Sequence, residues 1–527
     1  MGYMNKNKNL KKNIQSLSAP FQEFVQYVKE HRFLGVALFA LLLLVYGKAA
    51  YSNDFYVDAE VILNYPRTFY NWGGIGRFGL IALKCLTGLH WYNPYFAAAL
   101  FLIVMWLEGM CCCCLFSRLG YGGSNSVNLI FVCLFLIFPT LADQYMFRFQ
   151  SFEIVFGMML IAVSSGYFLL FMKTKNPAAF VLAVLLDIVS YGIYQSMVNL
   201  QICFYIVLYL FCMERLTASE RKKQVLWSML HFIIGFAIYE LIAQLFFNDT
   251  TYLADQVGWF SGDLAWTIRN LLAYVKHVLL ATDVFYPITY AVCVAAGAAV
   301  LITMFVKKTH RVPALCGICA TLASPFFLAI VTGSPTVYRA QCMLPFVCAS
   351  MWLFLVRFLS VHLPDKKIFR QLWILCGGIL LFLQASVVMR LFYTQDVIRD
   401  ADRITAQQMM SRVDTLSDTA RTKPIVFTGH LEAKGNGSCY TKEEAASFMA
   451  YSLFEYAYVE GVPIETPNYY NTGRILGYLE TLGFSYVVPT KEETASAEIL
   501  SAEMECWPAS SSVLETEDFV VIKLSDF

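Results

Sequence analysis

The sequence predicts a polytopic α-helical membrane protein of about 11 transmembrane helices, with a small extracytoplasmic α/β domain at the C-terminus. Three observations predict it. Of 527 residues, 58% are hydrophobic and only 15% are charged, whereas soluble domains carry about 25% charged residues. Apolar stretches close to the ~20 residues that cross a bilayer recur along the chain. The linkers between them alternate between basic and acidic or mixed composition, as loops on opposite sides of a membrane do. Net charge is +1, so no global field points to nucleic acid, and no nucleic-acid motif is present.

Residues 1–32 read as a cytoplasmic tail with an interfacial helix. "NKNKNLKKN" is basic, but the first long apolar run begins only at Phe33 and is followed by acid rather than by a small-residue cleavage site, so it is not a signal peptide. "FQEFVQYVKEHRF" supplies the interfacial helix. Spans are expected near 33–50, 95–116, 126–142, 152–172, 177–191, 195–213, 225–247, 286–306, 312–332, 342–359 and 371–393. The fifth and sixth share one apolar stretch and read as a tight hairpin turning at "SYGIYQ".

Arg118, "KTK" at 173–175, "ERLTASERKK" at 214–223, "KKTHR" at 307–311 and "DKKIFR" at 365–370 all fall on the side of the N-terminus. Lys and Arg mark cytoplasmic loops. The acidic or mixed linkers and the C-terminus therefore face outward. Residues 33–393 form the membrane region, with a first outer loop over 51–94. Residues 394–527 form the outer domain: "DVIRDADRITAQQMMSRV" and "RILGYLETLG" are helical patterns, and "KPIVFTG", "FSYVVPT" and "DFVVIKL" are strand-like runs. Of the 16 cysteines, only Cys439 and Cys506 lie in this polar region, where a disulfide between them is an option outside the cell. The run Cys111–Cys114 lacks partners at ligand spacing and reads as membrane packing.

The first outer loop carries the polar groups that most need an explanation. "YSNDFYVDAE" places Asp54, Asp58 and Glu60 just beyond an apolar helix, where carboxylates are costly. Asp54 and Asp58 are four apart, so one helical face could carry both. One reading makes either a catalytic base at the water–lipid boundary; the other leaves them as a solvated loop. The loop continues through interfacial helices broken at "NWGGIGR", with Arg77 placed to grip a phosphate. "ADQYMFRFQSFE" repeats the style with Asp143, Arg148 and Glu153, and is read either as substrate contact or as an aromatic turn. Tyr338, Arg339 and Gln341 occupy a later outer loop. Arg339 is a candidate phosphate contact, with snorkelling as the alternative. Tyr194, Gln195 and Asn199 are candidates for sugar hydroxyls, with packing as the alternative. Glu108, Asp187 and Glu240 lie inside spans and are expected to make structural hydrogen bonds. No Walker loop, dinucleotide fingerprint, HExxH or nucleophile elbow occurs in a credible context, which argues against an ATP-driven pump.

Together "YSNDFYVD", "NWGGIGRFGLIALKCLTG", "YNPY", "DQYMFRFQSFE", "YGIYQS" and "SPTVYRAQCMLPF" resemble the Gtr type II glucosyltransferases of bacterial membranes. These are relatives of the O-antigen, serotype-converting enzymes within the GT-C glycosyltransferase class. The resemblance covers most of the membrane region and, in pattern, the outer tail. It implies a GT-C-like fold in the bacterial cell membrane. It also implies a polyprenyl-phosphate sugar donor carrying glucose, and transfer on the outer face to an envelope glycan or lipid-linked acceptor. An acidic residue of the first outer loop would be the base. Family members often carry "NDD" where this chain has "NDF", so Asp54 and Asp58 both stand, Asp54 first. Arg77, Arg148 and Arg339, with Asp143, Tyr338, Tyr194 and Gln195, would bind donor phosphate and substrate. Some GT-C enzymes use a divalent cation; the acids could support one, but no His stands near them and no metal is assigned. The competing reading is a flippase or transporter of lipid-linked sugars, which would place its charges near the midplane in paired repeats; no such repeat is found.

Overall fold

The computed structural model describes residues 17–52, 59–64, 69–91, 93–246, 258–260, 264–308, 310–363, 367–432, 440–441, 444, 450–455 and 467–526. The chain divides into two compact units. One comprises Met1–Tyr51, Tyr70–Tyr145 and Gln150–Val388; the other comprises Ser52–Phe69, Met146–Phe149 and Met389–Phe527.

The helices follow the apolar pattern. α1 (Ala19–Glu30) is amphipathic and is followed at once by α2 (Arg32–Tyr51). α3 (Ala59–Asn64), α4 (Asn71–Gly74) and α5 (Phe78–Thr87) are the short helices of the loop broken at "NWGGIGR". α6 (Pro94–Arg118) starts at Asn93, whose side chain accepts from the Phe96 N–H, with Pro94 in the first turn. α7 (Asn125–Leu136) and α8 (Pro139–Met146) are one apolar stretch bent by 53°. Pro139 follows the bend, and a ring without an N–H cannot continue the helical ladder. α9 (Arg148–Thr174), α10 (Pro177–Ile193), α11 (Ser196–Cys212) and α12 (Ala218–Phe246) follow. Then come α13 (Leu264–Leu280), α14 (Thr289–Val306), α15 (Arg311–Ala323), α16 (Phe327–Thr332), α17 (Met343–His362) and α18 (Lys367–Asp414).

Each stretch expected to span is helical over most of its described residues. Among the described residues, however, eight helices are long and apolar enough to cross a membrane, or nine with the bent pair. The expected count of about 11 included α10 and α11, which are 17 residues each and fall short of that length. They form the hairpin expected at "SYGIYQ", with Tyr194 and Gln195 at its tip. The amphipathic helix α13 was not expected, because Arg269, Lys276 and His277 interrupt its apolar run. α18 fuses the expected last span and the expected amphipathic helix into one rod of 48 residues. No Gly or Pro lies between Gly378 and Asp414 to break it.

α17 is the most enclosed of the spanning helices, and aromatic side chains explain why. Phe346 stacks on Phe204 of α11 with centroids 4.1 Å apart and meets Phe135 of α7 edge-on. Phe116 of α6 packs on Phe131 and Phe211. The thiols fill this core as small apolar groups: Cys112 to Cys114 are buried, and Cys112 donates to Glu108. Asp187 stands 3.3 Å from His231. Glu108 thus makes the hydrogen bond expected of it, and Asp187 has a buried histidine beside it.

The second unit contains a three-stranded sheet of order β1-β3-β2. β1 (Ile425–Thr428) runs parallel to β3 (Val520–Lys523), and β2 (Val513–Glu515) runs antiparallel to it. A parallel pair needs a crossover; α19 (Pro467–Thr481) and α20 (Lys491–Ser501) lie between β1 and β3 in sequence. Met409, Met410 and Val413 of α18 join Ile425, Phe427, Ile475 and Ile522 in its core. "FSYVVPT" contributes only a single bridge, Val487 to Pro424. Within the same unit α3 packs on α19: Arg474 pairs with buried Glu60 at 2.5 Å, and Asn64 donates to the Gly477 carbonyl at 2.9 Å. Of the cysteines considered for a disulfide, Cys439 lies outside the described residues and Cys506 is half-buried.

Candidate active site

Arg77 precedes α5 and follows Gly76, whose φ of +80° is the left-handed conformation that glycine adopts without penalty. That turn aims the guanidinium at the α10–α11 hairpin tip and the start of α9. Its Nε donates to Gln195 Oε1 at 3.2 Å, and Nη1 donates to Gln150 Oε1 at 3.1 Å. The guanidinium also lies 4.7 Å from the centre of the Tyr194 ring, a cation–π distance. Gln195 in turn donates to the Ile75 carbonyl. Two amide oxygens and an aromatic face orient the guanidinium. Seven residues on, the buried Lys84 forms an ion pair with the buried Glu153 at 2.8 Å and lies 5.7 Å from the Trp72 ring. Arg77, capping α5, and Lys84 within it are two turns apart, while Gln150 and Glu153 are three apart on α9, so the two helices meet through matched polar faces.

A second polar cluster surrounds Tyr338, in the 3-10 turn before α17. Its hydroxyl donates to Asp283 Oδ2, while Asp283 Oδ1 accepts from the Phe285 N–H at 2.9 Å. The Tyr338 ring stacks on buried Phe285 with centroids 4.4 Å apart, and Tyr286 lies 5.5 Å away. Gln341 donates to the Tyr286 hydroxyl at 2.9 Å and to the Thr336 carbonyl. Burial first, then the hydrogen bond to Asp283 and the charges of Asp283 and Asp143, raise the Tyr338 phenol well above its ordinary value. It stays protonated and acts as a donor. Asp143 itself is buried on α8, and the expected outer loop around it is helical. Arg339 is half-buried in the same turn as Tyr338.

The structure thus gathers Arg77, Tyr194 and Gln195 in one cluster and places Tyr338 in another, where the charge of Asp143 helps to raise its phenol. Arg148 belongs to the second unit, where it donates to the Ser52 carbonyl at 2.6 Å and to the Ser52 hydroxyl. Asp54 and Asp58 lie outside the described residues. Lys84, Gln150, Asp283 and Tyr286 were not singled out from sequence. Only the seven-residue spacing of Arg77 and Lys84 could have flagged one of them. Among the described residues, no group of three or more His, Cys, Asp or Glu side chains could hold a metal ion.

Membrane-length apolar helices, with short helices between the first two of them in sequence, define a multi-pass membrane protein. The profile of the family described as Glucosyl transferase GtrII matches residues 47–356, and the chain belongs to that family. It is a membrane glycosyltransferase. No curated protein and no solved structure gives a significant match.

Proposed function

We propose that this enzyme transfers glucose from a polyprenyl-phosphate donor to a cell-envelope glycan or lipid-linked acceptor on the outer face of the cell membrane. The N-terminus is cytoplasmic, and residues 394–527 form an extracytoplasmic α/β domain following the membrane region 33–393. The observation that carries the reading is Arg77, held by Gln150, Gln195 and Tyr194 within the 51–94 segment of a glucosyltransferase. A donor with its lipid tail in the bilayer presents phosphate at the headgroup plane, and a guanidinium forks onto phosphate oxygens.

The chemistry needs a base and a stabilised leaving group. Asp54, or else Asp58, takes the proton of the acceptor hydroxyl. The acceptor oxygen bonds to the anomeric carbon with inversion while the bond from that carbon to the phosphate oxygen breaks. Arg77, Arg148 and Arg339 take up the charge left on the polyprenyl phosphate. Asp143, Tyr338, Tyr194 and Gln195 complete the substrate contacts.

The test is transfer by purified protein from polyprenyl-phosphate glucose to extracted envelope glycan. Loss of a general base costs about 10²–10⁴-fold in rate, so Asp54→Asn should drop by that factor while still inserting in the membrane. Arg77→Gln should raise the donor KM about tenfold or more, the range for a charge-assisted hydrogen bond. Full transfer by both Asp54→Asn and Asp58→Asn would remove the base from this loop. No turnover of this donor by the wild type would refute the donor class.

A further inference from the structure

The two polar clusters differ in chemistry. The one around Arg77 offers a guanidinium held by amide oxygens, while Lys84 is paired with Glu153. The one around Tyr338 instead sets a carboxylate, Asp283, against a phenol hydroxyl that donates to it. Too few carboxylates converge for a metal among the described residues. What remains is a set of hydrogen-bonding groups against aromatic rings.

Each Asp283 oxygen is engaged once, by the Tyr338 hydroxyl or the Phe285 N–H, and a carboxylate oxygen accepts more than one hydrogen bond. Asp283 and Tyr338 are only half-buried, so they are reachable. Behind them Gln341 is 1% exposed, and its Oε1 is buried with no hydrogen-bond partner among the described residues. A buried amide oxygen left unpaired costs free energy, and this acceptor calls for a donor supplied from outside the chain. Aromatic rings cover the apolar C–H face of a sugar; carboxylate, phenol and amide groups pair with its hydroxyls.

Resting on the glycosyl-transfer reading above, we propose that Asp283, Tyr338, Tyr286 and Gln341 form a binding subsite for a neutral hexopyranose ring. Asp283 accepts from sugar hydroxyls and Tyr338 fixes its orientation. The ring is either the donor's glucose or the terminal sugar of the acceptor, a difference the kinetics resolves.

The probe is methyl glucopyranoside, followed by saturation-transfer NMR on the full-length protein in a detergent without a sugar headgroup. It is paired with KM measurements for donor and acceptor. Asp283→Asn keeps the acceptor for the Phe285 N–H, and Tyr338→Phe keeps the ring on Phe285. Both variants are checked for monodispersity, and Tyr338→Phe carries the test if Asp283→Asn does not fold. The expected result is a glucoside signal in the wild type that drops severalfold in each variant. One KM should rise about tenfold or more with kcat nearly unchanged, the size expected for a hydrogen bond to a charged group. A rise for the donor alone assigns the ring to the donor, and a rise for the acceptor alone assigns it to the acceptor. Wild-type values for the signal and both KM in folded variants overturn the subsite, as does a wild type with no glucoside signal. A wild type that binds glucoside through Asp283 yet transfers nothing from the polyprenyl donor leaves the subsite standing and fails the donor reading.

Discussion

Removing one charge from the Lys84–Glu153 pair should damage the protein more than removing both. The side chains are 2% and 1% exposed, and Lys84 Nζ stands 2.8 Å from Glu153 Oε1. Neither group reaches water, so each depends on the other to offset its lost hydration. Lys84→Met strands a carboxylate in the interior, and breaking a buried pair this way costs about 3–5 kcal/mol. Lys84→Met combined with Glu153→Gln removes both charges at similar volume, which is often close to neutral. The singles should therefore sum to far more than the double, with an interaction energy of about 2–3 kcal/mol. Equilibrium unfolding in mixed detergent, followed by tryptophan fluorescence, measures all four proteins. The pair also sits one turn of α9 from Gln150, so Lys84→Met should weaken transfer by shifting the partner of Arg77. A Lys84→Met protein within about 0.5 kcal/mol of wild type would refute the reasoning, because surface substitutions stay inside that range. So would a double variant worse than either single.

In the second unit, Asp402 accepts from buried Arg399 at 2.8 Å, from the Ser452 hydroxyl at 2.5 Å and from the Leu453 N–H at 2.9 Å. Asp402→Ala should cost about 3–5 kcal/mol by leaving Arg399 unpaired, read as a lower unfolding midpoint and faster proteolysis within 389–527. Glu515 accepts from Lys423 at 2.8 Å and from Ser417 at 2.6 Å, and these bonds lower its carboxyl below the ordinary 4.5. Since the folded value is the lower one, its stabilisation is complete above pH 4.5 and is lost as pH falls through the folded value. Wild type should therefore exceed Lys423→Met in thermal midpoint by a constant margin above that pH, and the margin should shrink below it.

What was legible in the sequence was whatever repeats locally. Apolar runs located the spans, the glycines of "NWGGIGR" located a break, and "SYGIYQ" located the α10–α11 turn, whereas the bend at Pro139 within the expected 126–142 span was not anticipated. The strands Ile425–Thr428 and Val520–Lys523 were visible as β-branched runs. Contacts between distant segments were not. Lys84 and Glu153 are 69 residues apart, and Tyr338 and Asp283 are 55 apart. Nothing local marks Asp283 as the partner of a phenol. Arg474 likewise reads as an ordinary charge on a polar helix until Glu60, more than 400 residues earlier, is found buried beneath it. Arg77 was chosen from sequence for its charge and position; the amides that orient it could not be.

The placement of Arg77 follows from packing before it follows from charge. A Cβ at Gly79 would stand 2.6 Å from the Val189 carbonyl oxygen and 2.8 Å from the Gly192 carbonyl carbon, so only glycine lets α5 lie directly on the α10 backbone. Gly192 returns the contact: a Cβ there would stand 2.6 Å from the Phe78 ring. This reciprocal pair fixes the start of α5 against the last turn of α10. Tyr194 and Gln195 follow Gly192 by two and three residues, so the close approach that admits Phe78 also carries the hairpin tip to the side chain of its neighbour, Arg77. Backbone contact leaves little freedom for sliding, since interiors this dense yield to one methyl only by shifting whole elements. The guanidinium thus gains its fixed direction from two missing side chains on facing helices, and the amides of Gln150 and Gln195 need only satisfy it where packing has put it.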